Sequence, residues 1–303
     1  MSPAASREQR FNRLQHELTA WGTDLAHAHL LDAADLARLS ARGFRSLVTV
    51  HNTRAGFPQG LAELPAEQAV LLVGCARAVE LELHAARLPI PLRTVWNGIR
   101  IQAPASRASN DGWRARLGLA SDALVLLALA NPRPQKRLHL LPSILAATRV
   151  RSGRDVKLIV AGAASPRNQP AQLALSVLQS EIERFGVGEH VHLVGLVDDV
   201  QGLLAAADAL VSPSEHEGLS LAHLEALAAN VPVVASGDGG TSELAAEFAT
   251  LRQVPLDSAP DVFAHAIVEL TEAHGVAVKK DIIYRCRTPS RAISIDILCL
   301  SYR

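Results

Sequence analysis

The chain has 303 residues, 49% of them hydrophobic and 20% charged, with 30 basic and 30 acidic side chains in balance. Such a composition supports one large core or two ordinary ones and excludes global disorder. The zero formal net charge leaves no footprint for nucleic acid or an anionic membrane as main partner.

Three cysteines, Cys75, Cys286 and Cys299, show no CxxC spacing. They argue against a disulfide framework and a zinc site, and a reducing compartment is the default. The amino terminus, MSPAASREQRFNRLQ, is polar and lacks the apolar stretch of a secretory signal. No apolar run approaches the ~20 residues needed to cross a bilayer. The chain therefore reads as soluble and cytoplasmic, or at most peripheral to the inner face of a membrane.

The first strand signal is DLAHAH at residues 24–29. Further strands are expected at 46–50, 69–73, 92–95, 123–130, 156–161, 191–194, 209–212 and 231–235. Helices are expected at 32–41, 77–86, 137–150, 171–185, 200–206, 219–229 and 262–273. Continuous apolar strands alternating with helices predict an α/β fold with parallel sheets covered on both faces. Such sheets take ligands at the carboxyl ends of their strands. A polar stretch with proline and serine, QAPASRASNDG at 102–112, interrupts the pattern and reads as an interdomain linker. Two Rossmann-like domains facing a cleft are thus expected, at 1–103 and 104–277. From residue 278 the composition shifts: VKKDIIYRCRTPSRAISIDILCLSYR, starting at Val278, holds both tyrosines and two of the three cysteines. Residues 278–303 read as an atypical tail, foreign to the fold; a divergent last strand is the alternative.

The richest stretch is SEHEGLSLAHLEALAANVPVVASGDGGTSEL, residues 214–244. A short buried strand ends at Pro213, and Gly218 closes a loop. A helix is expected to start near Leu219 or Ser220. Its first N–H groups lack intrahelical partners and, with the helix dipole, suit an anion such as phosphate. Glu217 precedes that helix and Glu225 lies about two turns into it. A carboxylate there can accept paired hydrogen bonds from vicinal hydroxyls. On spacing alone, Glu225 reads equally as a solvated helix residue. GDGGTSE reads as a flexible turn.

With its context this stretch resembles the donor-site signature of the family 4 retaining glycosyltransferases, which have the GT-B fold. The pattern there is a proline-serine, E-G-[apolar]-[small]-L, L-E-A, a small-residue helix, P-V-V-A and G-G-x-x-E. ALVLLALANPRPQKRLHLL, VKLIVAGAA, HVHLVGLVDDVQGLLAAADALVSPS and, earlier, LVTVHN, AVLLVGCARAVELEL and TVWNGI are similar to other units of that family. The resemblance runs from about Asp24 to Ala273. It implies a glycosyltransferase that moves a sugar from a nucleotide-diphosphate sugar to a glycan or lipid-linked acceptor, with no obligatory metal.

The resemblance also implies roles. Glu225 would hold the ribose hydroxyls and Glu217 the transferred sugar. Backbone N–H groups at Gly218, Leu219, Ser220 and Leu221 would contact the sugar and diphosphate. Lys136, joined by Arg133, would neutralise the diphosphate. Gly195 and Leu196 would lie near the base, and His51 would face the donor sugar from the other domain. Asn131 stands where the family usually has an arginine, which weakens the expected diphosphate clamp.

Without the family pattern, Lys136 reads as part of a solvated basic loop and His51 as a strand-end histidine. His27 with His29, and His190 with His192, alternate at strand spacing but lack converging third ligands, so they read as core or rim residues and not as a metal site. Cys75 reads as a buried small residue. The strands and glycine-rich loop that open other family members are not recognisable before Asp24. The first domain therefore reads as incomplete at its amino terminus. A non-catalytic remnant that only binds nucleotide sugar and a GT-B sugar-nucleotide epimerase are the alternatives.

Overall fold

The computed structural model describes residues 6–53, 56–99 and 111–276. They fall into two compact units, one holding residues 6–75 and 80–95, the other 76–79 and 96–276. The expected tail at 278–303 lies outside the described residues, as does most of the expected linker at 102–112.

In the first unit, α1 (Arg7–Ala20) precedes β1 (Leu25–His29), α2 (Ala33–Ser40), β2 (Arg45–Val50), β3 (Leu71–Gly74), α3 (Arg77–Ala85, whose start belongs to the second unit) and β4 (Leu92–Thr94). The four strands form one parallel sheet in the order β1-β2-β3-β4. The sequence reading placed no element before Asp24, and α1 corrects it. Ser6 and Gln9 form a reciprocal capping box. Phe11 and Leu18, two turns apart on one face, are buried and pack with Leu39, while Leu14 joins from the same stripe. Arg38 lies over the Phe11 ring at 3.8 Å, and Arg7 pairs with Asp32 at 2.7 Å. Three apolar positions at helical spacing inside a polar segment are enough to dock it.

In the second unit, α4 (Asp111–Arg116) opens on Asp111 and Gly112, so the expected linker at 102–112 is too long by these two residues. It is followed by β5 (Leu124–Leu129), α5 (Leu141–Ser152), β6 (Val156–Ala161), α6 (Gln169–Arg184), β7 (Val191–Gly195), α7 (Val200–Ala206) and β8 (Ala209–Ser212). Then come β9 (His216–Glu217), α8 (Leu221–Ala228), β10 (Val233–Ala235), β11 (Asp238–Gly239), α9 (Gly240–Glu247), β12 (Leu251–Gln253) and α10 (Pro260–Val276). β5 and β6 are almost wholly buried, as expected of strands covered on both faces. Phe263, Ile267 and Leu270 of α10 share one core with Ile144 and Leu145 of α5 and with the strands beneath.

The helix expected from residue 137 begins at Leu141. Arg137 has φ 47°, which breaks the path, and short 3-10 turns at Pro134–Lys136 and Leu138–Leu140 precede the α-helix. A further expectation fails at GDGGTSE. It is no flexible turn: Asp238 and Gly239 pair with His216 and Glu217, and Gly240 begins α9. Among the described residues, no helix is long and apolar enough to cross a membrane.

Candidate functional site

The second sheet has the strand order β12-β10-β8-β5-β6-β7, all pairs parallel. The chain lays down β5, β6 and β7 in one direction, then returns to place β8 on the other side of β5. The order therefore reverses between β5 and β8. In open α/β sheets such a reversal leaves a crevice at the carboxyl ends of the two strands, where ligands bind.

The loop after β5 brings Lys136 to this crevice, and the loop after β8 brings Ser214 and Glu217. The two loops are tied where the Glu215 N–H donates to the Gln135 carbonyl at 2.8 Å. Lys136 Nζ lies 2.5 Å from Glu217 Oε1. Glu217 is 6% exposed. Lys136, Ser212, Ser214 and Ala222 line a small cavity at this point, floored by Ala128 and Val211.

Opposing effects fix the charge of Glu217. Burial pushes its carboxyl up, but Lys136, His223 and hydrogen bonds from Lys136 and Ser214 together hold it below the usual carboxylate range. The carboxylate is thus charged and paired. Glu225, half-buried on α8, is pushed up by burial.

The strand pair of β9 and β11 shapes the loop around Glu217. A Cβ on Gly240 would meet the Gly218 carbonyl oxygen at 1.9 Å, so only glycine allows the two segments to approach. Beyond Gly218, Ser220 is the N-cap of α8 and accepts from the His223 N–H at 3.4 Å. Gly218, Leu219 and Ser220 are buried, and Leu221 is exposed.

The structure brings Lys136, Glu217, Gly218 and the first turn of α8 together at the β5/β8 reversal. Arg133 is exposed and lines a different groove of about 570 Å³, with Leu173 and Val177 of α6. Gly195 ends β7, an outer strand of the sheet, where its carbonyl accepts from the Gly162 N–H at 2.8 Å. Leu196 is 72% exposed. His51 follows β2 in the first unit, and its Nε2 lies 2.7 Å from His29 Nδ1. His27 Nε2 lies 2.7 Å from Thr49 Oγ1, and the His27 and His29 ring centroids lie 4.2 Å apart. Among the described residues, no group of three or more His, Cys, Asp or Glu side chains could hold a metal ion. Cys75 is buried.

The sequence reading assigned no role to Ser214 or His223. Ser214 is the serine of the proline-serine that opens the resemblance, which gives it no role of its own. His223 sits in an apolar helix, where the sequence gives no sign of a role. It is fully buried, and burial lowers its pKa to about 4 despite the pull of Glu217.

Two parallel-sheet α/β units, the larger with its polar cluster at the reversal point, define the fold class as that of the GT-B glycosyltransferases. Residues 123–273 match the family described as "Glycosyl transferases group 1". The D-inositol 3-phosphate glycosyltransferase of Saccharomonospora viridis is 28% identical over 233 residues, 73% of this chain and 50% of that protein. The GDP-mannose-dependent alpha-(1-6)-phosphatidylinositol dimannoside mannosyltransferase of Mycobacterium tuberculosis is 32% identical over 119 residues, 38% of this chain and 27% of that protein. The chain thus spans half or less of the length of these relatives. Among solved structures, Anabaena Alr3699/HepE in complex with UDP-glucose superposes with a TM-score of 0.73 at 21% identity, covering 88% of this chain and 73% of that one.

Proposed function

We propose that the chain is a family 4 retaining glycosyltransferase that moves a sugar from a nucleotide-diphosphate sugar to a glycan or lipid-linked acceptor. The observation that carries this reading is the Lys136–Glu217 pair at the β5/β8 reversal, beside the amino terminus of α8. One cation, one carboxylate and a helix terminus suit a ligand with both phosphate and sugar hydroxyls. Neighbours support the choice: one relative depends on GDP-mannose and one structural neighbour holds UDP-glucose.

In this reading the diphosphate lies against Lys136 and the first N–H groups of α8. Glu217 accepts from hydroxyls of the transferred sugar, and Glu225 from the ribose. The bond from the anomeric carbon to the diphosphate oxygen breaks, and the acceptor hydroxyl attacks on the same face. Its proton passes to the departing phosphate oxygen. Charge develops on the leaving group, and Lys136 is placed to stabilise it. No metal is required, because this stabilisation comes from side chains and helix N–H groups. We place the reaction in the cytoplasm, at the inner face of a membrane when the acceptor is lipid-linked.

The test is a panel of uridine, guanosine and adenosine diphosphate sugars, scored for sugar release and for transfer. Donor-dependent release or transfer supports the enzyme. Binding of nucleoside diphosphate that Glu225→Ala abolishes, without release or transfer from any donor, replaces it with a binding protein.

A further inference from the structure

His223 has no part in the roles assigned so far. It is the third residue of α8 and fully buried, and neither Nδ1 nor Nε2 has a hydrogen-bond partner among the described residues. A buried polar ring with both nitrogens unused is costly to a fold, and such groups call for an explanation. The Ser220 cap on its backbone N–H fixes where the ring starts. The charged groups that act on the ring are Glu217 of β9 and Lys136 of the 3-10 turn after β5.

Before a ligand arrives, the charges of this cluster cancel: Lys136 is positive, Glu217 negative and His223 neutral. A sugar nucleotide brings two negative charges to the same crevice. Lys136 is already engaged by Glu217, so its ammonium becomes shared between carboxylate and diphosphate. Added negative charge favours the charged form of a nearby imidazole. The ring keeps two unused nitrogens within electrostatic reach of Glu217, and an imidazolium donates from both.

We propose that His223 takes up one proton when a sugar nucleotide binds and, as imidazolium, holds Glu217 while Lys136 turns to the diphosphate. The inference rests on the donor-site reading above. The proton enters from solvent on binding and returns when the nucleoside diphosphate leaves; no bond to carbon changes. His223 is a positioning residue, acting on the sugar through Glu217.

Calorimetric titration of the full chain with UDP-glucose and with GDP-mannose tests this, in buffers of different ionisation heat. The phosphates of these sugar nucleotides do not titrate near neutrality, so protons counted belong to the protein. At about pH 6.5 the wild-type chain is expected to take up roughly half to one proton, with Kd rising up to about tenfold per pH unit as pH increases. His223→Leu is expected to bind without proton uptake and with a flat pH profile. Imidazole C–H resonances provide a second measure that needs no variant: the His223 ring should become charged on adding the sugar nucleotide. Binding without proton uptake, uptake unchanged in His223→Leu, or a His223 ring that stays neutral would overturn the proposal while leaving the donor site standing. If neither sugar nucleotide binds, the donor-site reading falls and this inference with it.

Discussion

Lys136 Nζ and Glu217 Oε1 meet at 2.5 Å although 81 residues separate them in sequence. The contact joins the loops of two adjacent parallel strands, β5 and β8, at the point where the strand order reverses. It is nearly dry, with the Glu217 side chain 7% and the Lys136 side chain 20% exposed. The pair is a strut between the two loops and, in the proposed function, the charge that a ligand would meet.

Lys136→Met is expected to destabilise the chain by about 3 kcal/mol, because it leaves a buried carboxylate without its cation. Lys136→Met combined with Glu217→Leu should recover most of that loss, since the uncompensated charge is gone. Denaturant midpoints of the single and double variants give the comparison. A double variant no more stable than Lys136→Met would mean that the carboxylate is not what makes the single substitution costly.

Glu225→Ala should behave differently. Its carboxylate is half-buried and raised by burial, and in the proposed role its partner is a ribose. Stability should change little, while affinity for UDP or GDP should fall roughly tenfold or more, the scale of one or two lost hydrogen bonds to a charged group. Calorimetric titration beside a thermal melt separates the two effects.

The pH dependence of stability has a definite sign. His223 titrates near 4 in the fold against 6.5 when free, so between these values the unfolded chain binds more protons. Stability is complete above about pH 6.5 and falls as pH drops towards 4, by about 3 kcal/mol from this residue. Glu217 acts in the same direction at lower pH, because its folded value is depressed. Urea unfolding across this range should show the slope, and His223→Leu should flatten its upper part.

Gly240→Ala is expected to cost about 2 kcal/mol or more, since its Cβ would lie 1.9 Å from the Gly218 carbonyl oxygen and backbone must move. Gly188→Ala, where a Cβ meets nothing within 4 Å, should be nearly silent. The shift in melting temperature for the two variants checks the contrast. Equal shifts would mean that the β9–β11 approach carries no strain.

Much of the scaffold was readable from periodicity. Val156–Ala161, Val200–Ala206 and Ala209–Ser212 form as expected, because long apolar runs and an Asp-capped helix start leave little choice. The failures have physical causes. α1 hides its apolar stripe among charges, and β9 and β11 are two residues each, too short for any pattern. The glycines of GDGGTSE were read for freedom, whereas Gly240 is there for close approach. Within the candidate site, Lys136 and Glu217 were each marked by resemblance, but their contact was not, since sequence spacing carries no information on a meeting across a sheet. His223 was invisible for a simpler reason: one histidine in an apolar helix looks like core until burial is seen to leave both its nitrogens unpaired within electrostatic reach of Glu217.

The central claim is that a nucleoside diphosphate sits at the β5/β8 reversal against Lys136 and the start of α8. Its most direct test is calorimetric titration of the wild-type chain, Lys136→Met and Glu225→Ala with UDP and GDP, each variant first shown to be folded. The account predicts binding of at least one nucleotide by the wild type and clear weakening in both variants. Folded variants that bind as tightly as the wild type, or a wild type that binds neither nucleotide, would contradict it.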